Sequence, residues 1–227
     1  MKAVKDIYIL IGPPGAGKGS LSQLCKKQLG WSHLSTGDLC RQHITRMTEI
    51  GKKIDQAIKA GKLIDDTLMV SMVASWIQEA GFESSGIILD GFPRTVAQAG
   101  ALDALFADND FRHVSVTVVA MKIGDDRVIN RLKTRFVCQR DECQAVYSGA
   151  ALLDEKKSIC TECGGQLIQR IDDQDDVIFE RLKMYHYYAE DLLNYYRSSA
   201  CKIIVLDVEV PLDLVFKKFV DSTGTRV

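Results

Sequence analysis

Four short apolar runs divide the chain, and each has the length of a buried strand. They cover residues 7–11, 86–90, 114–121 and 202–206. None shows the alternation of polar and apolar positions that a strand with one solvated face would have. Longer stretches with helical spacing separate the runs, so the pattern predicts an α/β arrangement, a parallel sheet covered by helices on both faces.

The clearest helical pattern lies between residues 172 and 197. Apolar side chains recur there at steps of three and four positions, at Ile178, Leu182, Tyr185, Ala189, Leu192 and Tyr196. Asp172 and Asp173 at its start suit an N-terminal cap and the positive end of the helix dipole. Residues 35–65 and 136–170 break the rhythm of strands and helices, and we interpret both as insertions.

Composition and charge narrow the class of protein. The chain has 227 residues, of which 46% are apolar and 26% charged, as is typical of a globular protein. The formal net charge of −1 lacks the basic excess of a nucleic-acid-binding protein. No run approaches the roughly 18 apolar residues of a membrane span, and the N-terminus has no signal-peptide pattern. We therefore expect a cytoplasmic protein with no nucleic-acid or membrane partner.

A glycine-rich stretch, GPPGAGKGS at residues 12–20, follows the first apolar run. A strand that turns through glycines into a helix directs several backbone N–H groups and the positive helix end at one place, where phosphate binds. Lys18 would then reach the β and γ oxygens of a nucleotide. The strict P-loop template has its hydroxyl directly after the lysine, whereas here Gly19 precedes Ser20. A plain glycine-rich turn with a surface lysine is the alternative.

Three further stretches follow in order: STGDLCR at 35–41, AGKLI at 60–64 and DGFPRTVAQ at 90–98. Together with the form G-x-P-G-x-G-K-G-[ST] of the loop, they resemble the motifs of the adenylate kinase family. The resemblance implies an α/β fold of the P-loop nucleoside monophosphate kinase type, with a parallel five-stranded sheet and two inserted subdomains. The implied divisions are a core (1–34, 66–135 and 171–227), an AMP-binding insertion (35–65) and a lid (136–170).

The activity implied by this resemblance is reversible transfer of the γ-phosphoryl group of ATP, with Mg²⁺, to AMP, giving two ADP. Such a reaction requires alignment and positive charge around the migrating group. The groups implied to be catalytic are Lys18, Asp90, Arg94, Arg135, Arg170 and Arg181. Asp90 ends a predicted strand, where a carboxylate can position hydrated Mg²⁺. Asp172 and Asp173, in a QRIDDQ segment at 169–174, would orient the lid arginines.

The resemblance also implies two nucleotide sites. The ATP site would comprise Gly15, Ala16, Gly17, Lys18, Gly19, Ser20, Arg131, Arg135, Val146 and Tyr147. The AMP site would comprise Thr36, Arg41, Lys62, Leu63, Ile64, Gly91, Arg94, Gln98, Arg170 and Arg181. The planar fork of Arg41 can hold two phosphate oxygens, and the Gln98 amide has the donor and acceptor needed to recognise an adenine edge.

Four of the seven cysteines lie in the predicted lid, spaced C-x4-C-x16-C-x2-C. The ligand set Cys138, Cys143, Cys160 and Cys163 falls within the spacing range for tetrahedral Zn²⁺ bound by thiolates. A metal would stabilise a segment too small to have a core of its own. The first pair is two residues wider than the expected C-x2-C, so a lid without metal is the alternative.

Two departures from the family pattern leave questions open. Phe136 stands where a second arginine is expected, and residues 207–210 lack the expected glycine near the donor base, so preference for ATP over GTP is not fixed. The rival functions are a kinase for another nucleoside monophosphate, and a P-loop module whose cysteines form a zinc ribbon for nucleic acid. We expect a monomer whose ligands are ATP, AMP and ADP.

Overall fold

The computed structural model describes residues 6–59, 64–80, 84–107, 114–140, 143, 145–149, 159–199 and 201–225. Its central sheet has five parallel strands in the order β2-β3-β1-β4-β8, which confirms the predicted sheet. With all strands numbered in chain order, they are β1 (Asp6–Ile11), β2 (Ser32–Ser35), β3 (Gly86–Asp90), β4 (Ser115–Lys122) and β8 (Lys202–Asp207).

Helices cover both faces of this sheet. The α-helices in the described part of the chain are α1 (Lys18–Leu29), α2 (Thr36–Thr45), α3 (Glu49–Lys59), α4 (Asp66–Ala80), α5 (Val96–Phe106), α6 (Asp125–Lys133), α7 (Asp175–Ser198) and α8 (Leu212–Thr223). No helix in the described part of the chain has both the length and the apolar character needed to cross a membrane.

Side chains of β1 alternate between two apolar clusters. Ile7 and Ile9 point into one cluster, where side chains of α4, α5 and α7 pack. Tyr8 and Leu10 point into the other, which α1 and α8 complete. Since both faces of the strand are buried, its sequence has no polar alternation. The uninterrupted apolar run in the sequence therefore reflects burial of the strand on both faces.

The carboxyl ends of the five parallel strands lie along one edge of the sheet, where open α/β folds bind ligands. The glycine-rich loop follows β1 at this edge, Thr36 follows β2 and Gly91 follows β3. Thus three of the four motifs in the sequence begin beside one another. Strand β2 was not predicted from the sequence, because Leu34 is its only apolar residue.

The predicted lid contains a second, antiparallel sheet with the strand order β6-β5-β7. Its strands are β5 (Arg135–Cys138), β6 (Val146–Ser148) and β7 (Leu167–Ile168). A small cluster of buried side chains, Cys138, Cys160 and Leu167, lies beside it. The described residues of this segment therefore form only a small apolar cluster.

The predicted long helix is α7, and its buried residues include Ile178, Leu182, Leu192 and Tyr196, in agreement with the helical spacing. The prediction that Asp172 and Asp173 cap it was wrong. Both lie in a separate 3₁₀ turn, Ile171–Asp173, and the residue before α7 is Gln174, which makes no side-chain cap. The acidic residues in the first turn of α7 are Asp175 and Asp176, which suit the helix dipole instead.

Candidate active site

The glycine-rich loop has the backbone geometry of an anion site. Gly15 and Gly17 both adopt positive φ, +80° and +93°. A Cβ on Gly15 would lie 2.9 Å from Cγ of Leu132, whereas at Gly17 no atom would lie within 4 Å. Gly15 thus packs against α6, while Gly17 borders open space at the start of α1. Ala16, Gly19 and Ser20 continue this turn into the helix.

Lys18 folds back over the loop. Its Nζ donates hydrogen bonds to the carbonyl oxygens of Gly12, at 2.8 Å, and Pro13, at 2.9 Å. Burial lowers the pKa of this ammonium group to about 8, although Asp90 nearby acts in the opposite direction. A phosphate oxygen in the loop would restore the charge balance around the lysine.

Three arginines lie close enough to Lys18 to lower its pKa further: Arg94, Arg135 and Arg181. They come from the DGFPR stretch after β3, from β5 and from α7. The fold therefore brings together side chains that are up to 163 positions apart along the sequence. Positive groups repel one another unless anions lie between them, so this arrangement suits polyanionic ligands.

Asp90 lies at the end of β3 beside the loop, and a Cβ on Gly19 would be 3.5 Å from its Oδ2. The Nε2 atom of His33, buried and without a hydrogen-bond partner, lies 3.8 Å from the same oxygen. Burial raises the pKa of Asp90, but His33 and Lys18 lower it by more, so its pKa lies below the ordinary value. An ionised carboxylate here fits the outer shell of hydrated Mg²⁺.

The two aspartates after the lid hold two of the arginines. Arg135 donates from Nε to Oδ2 of Asp173 at 2.7 Å and from Nη2 to Oδ1 at 2.5 Å. Arg181 donates to the carbonyl oxygen of Asp172 at 2.7 Å and lies 3.1 Å from its carboxylate. Burial raises the pKa of Asp172, but Arg181 and other arginines lower it overall, so it stays ionised. Bidentate pairing fixes the plane of a guanidinium group.

Asp38 links two further arginines. Its carboxylate forms an ion pair with Arg41 one turn later in α2, and Nη2 of Arg170 lies 3.9 Å from the same oxygen. Burial lowers the pKa of Arg170 to about 10, and the positive charge of Arg41 contributes to this shift. An arginine of the predicted lid segment and one of the predicted AMP-binding insertion therefore share one counter-ion.

Two residues of the predicted AMP site share the carbonyl oxygen of Gly91. The buried hydroxyl of Thr36 donates to it at 3.0 Å, and Nε of Arg94 donates at 2.9 Å. Gly91 has φ +81°, and a Cβ there would lie 2.8 Å from Oγ1 of Thr36. Only glycine satisfies both the backbone angle and the close approach.

The Gln98 amide has hydrogen-bond partners on both of its polar atoms. Its Oε1 accepts the N–H of Arg94 at 2.8 Å, and its Nε2 donates to Oδ1 of Asp66 at 2.7 Å. Oδ2 of Asp66 accepts the hydroxyl of Thr95 at 3.0 Å. In this conformation the amide is buried, and contact with an adenine edge would require it to exchange one of these bonds. Ile64 packs beside the core nearby.

Arg131 ties the loop after β8 to the glycine-rich loop. Its Nη2 donates to the carbonyl oxygen of Val208 at 2.8 Å, and its Nη1 lies 3.5 Å from that of Ala16. Val146 on β6 is exposed, whereas the hydroxyl of its neighbour Tyr147 lies against Cys160. The structure thus places the predicted ATP-site residues in two groups, one at the glycine-rich loop and one in the lid.

The four lid cysteines form one cluster. Their sulfur atoms all lie within 4.8 Å of one another, with 3.4 Å between Cys138 and Cys163 and 3.6 Å between Cys143 and Cys160. A Zn–S bond of about 2.3 Å in a tetrahedron implies sulfur–sulfur distances of about 3.8 Å. The wider first pair is therefore compatible with a single tetrahedral site, and the residues fit zinc.

Comparison with known proteins agrees with this geometry. The family model described as adenylate kinase matches residues 10–201. The chain belongs to the adenylate kinase family. An adenylate kinase of Alkaliphilus oremlandii is 35% identical over 218 residues, 96% of this chain and 98% of the relative. One of Streptomyces avermitilis is 32% identical over 214 residues, 94% and 95% of the two chains, and one of Archaeoglobus fulgidus is 35% identical over 206 residues, 91% of each.

Sequence reasoning about this adenylate kinase family member missed three residues that contact the site: His33, Asp38 and Asp66. Asp38 stands inside the STGD motif, but its pairing with two arginines depends on the fold. Asp66 begins α4, and an acidic residue at the start of a helix is explained by the helix dipole without any role in a site. The predicted AMP-site residues Lys62 and Leu63 lie outside the described residues.

Proposed function

We propose that this member of the adenylate kinase family transfers the γ-phosphoryl group of ATP to AMP, reversibly, giving two ADP. The convergence of Lys18 with Arg94, Arg135 and Arg181 at the mouth of the glycine-rich loop carries the proposal. Phosphoryl transfer needs little covalent chemistry from the protein, but it needs in-line alignment and positive charge where charge accumulates. Its relatives' names agree with this activity.

In the proposed reaction, the backbone N–H groups of residues 15–20 and the Lys18 ammonium hold the donor phosphates. Arg41 and Arg94 hold the phosphate of AMP, with Thr36 and Gln98 beside its base. Arg135, Arg170 and Arg181 stabilise the charge of the group in flight, and Asp172 and Asp173 keep two of these guanidinium groups in plane. Asp90 would hold hydrated Mg²⁺ bound with ATP, and the ion would supply further positive charge to the donor phosphates.

The proposed division of labour follows the two insertions. Residues 35–65 would bind AMP, residues 136–170 would form the lid, and the remaining residues would form the core. A closed lid excludes water, which would otherwise accept the phosphoryl group. The contact between Arg170 and Asp38, one residue from each insertion, supports a proposal that the two insertions touch.

We also propose that the four cysteines hold structural Zn²⁺. The sulfur–sulfur distances support a tetrahedral site, and a metal would stabilise a segment whose described residues form only a small apolar cluster. Metal analysis of protein purified without chelator should give about one zinc per chain. A ratio near zero would favour the lid without metal. A monomeric state and a cytoplasmic location remain predictions, and gel filtration with light scattering tests the first.

The activity is tested by measuring ADP formation from ATP with AMP, CMP, UMP and GMP in parallel. We expect AMP to have the highest kcat/KM, and a repeat with GTP tests the donor base. Arg94→Lys keeps the charge but loses the fork, so kcat/KM for AMP should fall at least tenfold. Arg197→Lys, which changes an exposed arginine of α7, is the matched control. Equal turnover of all four monophosphates would overturn the proposed specificity.

A further inference from the structure

The hydroxyl of Tyr147 contacts one sulfur atom of the cysteine cluster. Tyr147 is on β6, opposite Phe136 of β5. Its oxygen is 3.3 Å from Sγ of Cys160 and 2.9 Å from Oγ1 of Thr161, and it accepts the backbone N–H of Thr161 at 3.1 Å. The side chain therefore reaches from the strand that follows the first cysteine pair to the second pair.

We propose that Tyr147 is a positioning residue for the metal of the lid, and that its hydroxyl donates a hydrogen bond to the Cys160 thiolate. This inference rests on the zinc site of the proposed function and adds a residue that acts on one ligand. Partners that hydrogen-bond to metal ligands fix the orientation of those ligands and adjust how strongly they bind the metal.

The hydrogen-bond count of the hydroxyl favours this direction of donation. A phenol has one hydrogen to donate and accepts through its oxygen. The backbone N–H of Thr161 can only donate, and the Thr161 hydroxyl can also donate to the Tyr147 oxygen. Cys160, as a thiolate ligand, can only accept. All three contacts are then satisfied together when the phenol hydrogen points at sulfur.

Cys160 also gathers backbone hydrogen bonds, from Glu162 and Cys163 in its own turn. Cys138 and Cys143 receive a backbone hydrogen bond each, from Arg140 and Ala145. Tyr147 adds a side-chain donor from another strand to the thiolate of the narrower C-x2-C pair. Each donor stabilises the negative charge of a thiolate, so the Tyr147 hydroxyl would stabilise the Cys160 thiolate in addition to its backbone donors.

The contact also has a mechanical consequence, because it crosses the lid. One end of the side chain belongs to β6, which pairs with β5, and the other end contacts residues 160 and 161. Loss of the hydroxyl would loosen the second cysteine pair relative to the sheet. It would also leave the phenyl ring in the apolar cluster beside Phe136 and Leu167, so the fold of the lid should survive.

The family resemblance implied that Tyr147 belongs to the ATP site. In this structure the hydroxyl is engaged with Cys160 and Thr161, so any contact with the nucleotide would come from the ring or the backbone. The two roles can be separated by experiment, because a metal-positioning hydroxyl affects zinc affinity in the absence of nucleotide.

The test compares the full chain with its Tyr147→Phe variant in zinc competition against a chromophoric chelator. We expect zinc to bind 10- to 100-fold more weakly to the variant. Tyr187→Phe removes the hydroxyl of a tyrosine that is 71% exposed and should leave the affinity unchanged. In the Co²⁺-substituted proteins, the sulfur-to-cobalt absorption band should shift for the Tyr147 variant alone, which reports directly on the thiolates.

The outcomes separate the two claims. If the unaltered chain binds no zinc, the metal site of the proposed function fails, and this inference fails with it. If the unaltered chain binds zinc and Tyr147→Phe binds it within twofold, only this inference is overturned. A raised KM for ATP with unchanged zinc affinity would assign the hydroxyl to the nucleotide and would also overturn it. Circular dichroism of both variants checks that the chain is folded.

Discussion

Asp173 and Arg135 form a bidentate ion pair across 38 positions of sequence, with donor–acceptor distances of 2.7 and 2.5 Å. The carboxylate is fully buried, and the guanidinium is 13% exposed. Breaking a buried pair costs about 3–5 kcal/mol, and Arg181, whose Nη1 lies 3.3 Å from Oδ1 of Asp173, compensates part of the charge that remains. We therefore expect Arg135→Gln to lower the free energy of unfolding by about 3 kcal/mol, as measured by urea denaturation, and to reduce kcat about a thousandfold.

The matched control is the pair formed by Lys133 and Asp175, which has a contact of 2.8 Å but is largely exposed. Exposed pairs contribute about 0–1 kcal/mol, so Lys133→Gln should change the unfolding free energy by less than about 1 kcal/mol. Similar losses for Arg135→Gln and Lys133→Gln would show that burial does not strengthen the contact of Arg135 with Asp173.

Lys18 should couple ATP binding to proton uptake. Its pKa is about 8 in the free protein, below the ordinary value of 10.5, mainly because it is buried. Phosphate oxygens beside the ammonium favour its charged form and raise the pKa again. Between the two pKa values the bound state holds more protons, so ATP affinity should fall as pH rises above about 8.

Calorimetry in two buffers of different ionisation enthalpy measures this uptake. We expect most of one proton to be taken up at about pH 9 and almost none at about pH 6.5. Lys18→Met should abolish the uptake, whereas Lys26→Met, on the exposed side of the same helix, should preserve it. Equal proton uptake by the Lys18 and Lys26 variants would mean that another group titrates.

Gly91 and Gly30 allow backbone strain to be separated from a contact in the site. Both have positive φ, +81° and +67°, but a Cβ on Gly91 would meet Thr36 at 2.8 Å while one on Gly30 would have no neighbour within 4 Å. Gly30→Ala should cost about 1 kcal/mol from the backbone angle. Gly91→Ala should cost about 1–3 kcal/mol more, since Thr36 must shift.

Because Thr36 lies on the proposed acceptor side, Gly91→Ala should also raise the KM for AMP more than the KM for ATP. Gly30→Ala should leave both constants unchanged. The measurements are urea denaturation and initial rates with each substrate varied in turn. If the two glycine variants gave the same loss of stability and the same constants, the close approach of residue 91 to Thr36 would not affect AMP binding.

Asp66 should act on AMP through Gln98. Asp66→Asn replaces one carboxylate oxygen by a donor, so either Thr95 or Gln98 loses its acceptor, at a cost of about 1–2 kcal/mol. We expect a higher KM for AMP, little change for ATP and a weaker preference for AMP over CMP. Asp65→Asn is the control, because Asn can still accept the N–H of Leu68 at the start of α4. An unchanged KM for AMP would contradict a role for Asp66.

Four strands of the central sheet and the glycine-rich loop were predictable from the sequence because they depend on local pattern. Residues buried on both faces of β1 leave an uninterrupted apolar run, and a loop that approaches phosphate needs glycine at fixed positions. Strand β2 escaped prediction because its polar residues form a strand only through pairing with β3. Its existence depends on a partner more than 50 positions away.

The pairings within the site could not be read from spacing. From position alone, Asp172 and Asp173 were interpreted as helix caps, because that role is local, and only the family resemblance implied that they orient arginines. Their partners Arg135 and Arg181 become neighbours only in the folded chain. The cysteines are an intermediate case. Their number and spacing predicted one cluster, but only the positions of the sulfur atoms show that the wider first pair joins it.

If Arg41 and Arg170 bind phosphate as proposed, Asp38 makes that binding an exchange of anions. The carboxylate already compensates Arg41 and lies 3.9 Å from Arg170, so an incoming phosphate would displace it instead of filling an uncompensated positive cleft. The long-range attraction that a visiting nucleotide feels is therefore smaller than the number of arginines suggests. For the same reason, chloride and sulfate should bind these guanidinium groups weakly. The guanidinium groups then remain available to a ligand that brings several phosphates at once.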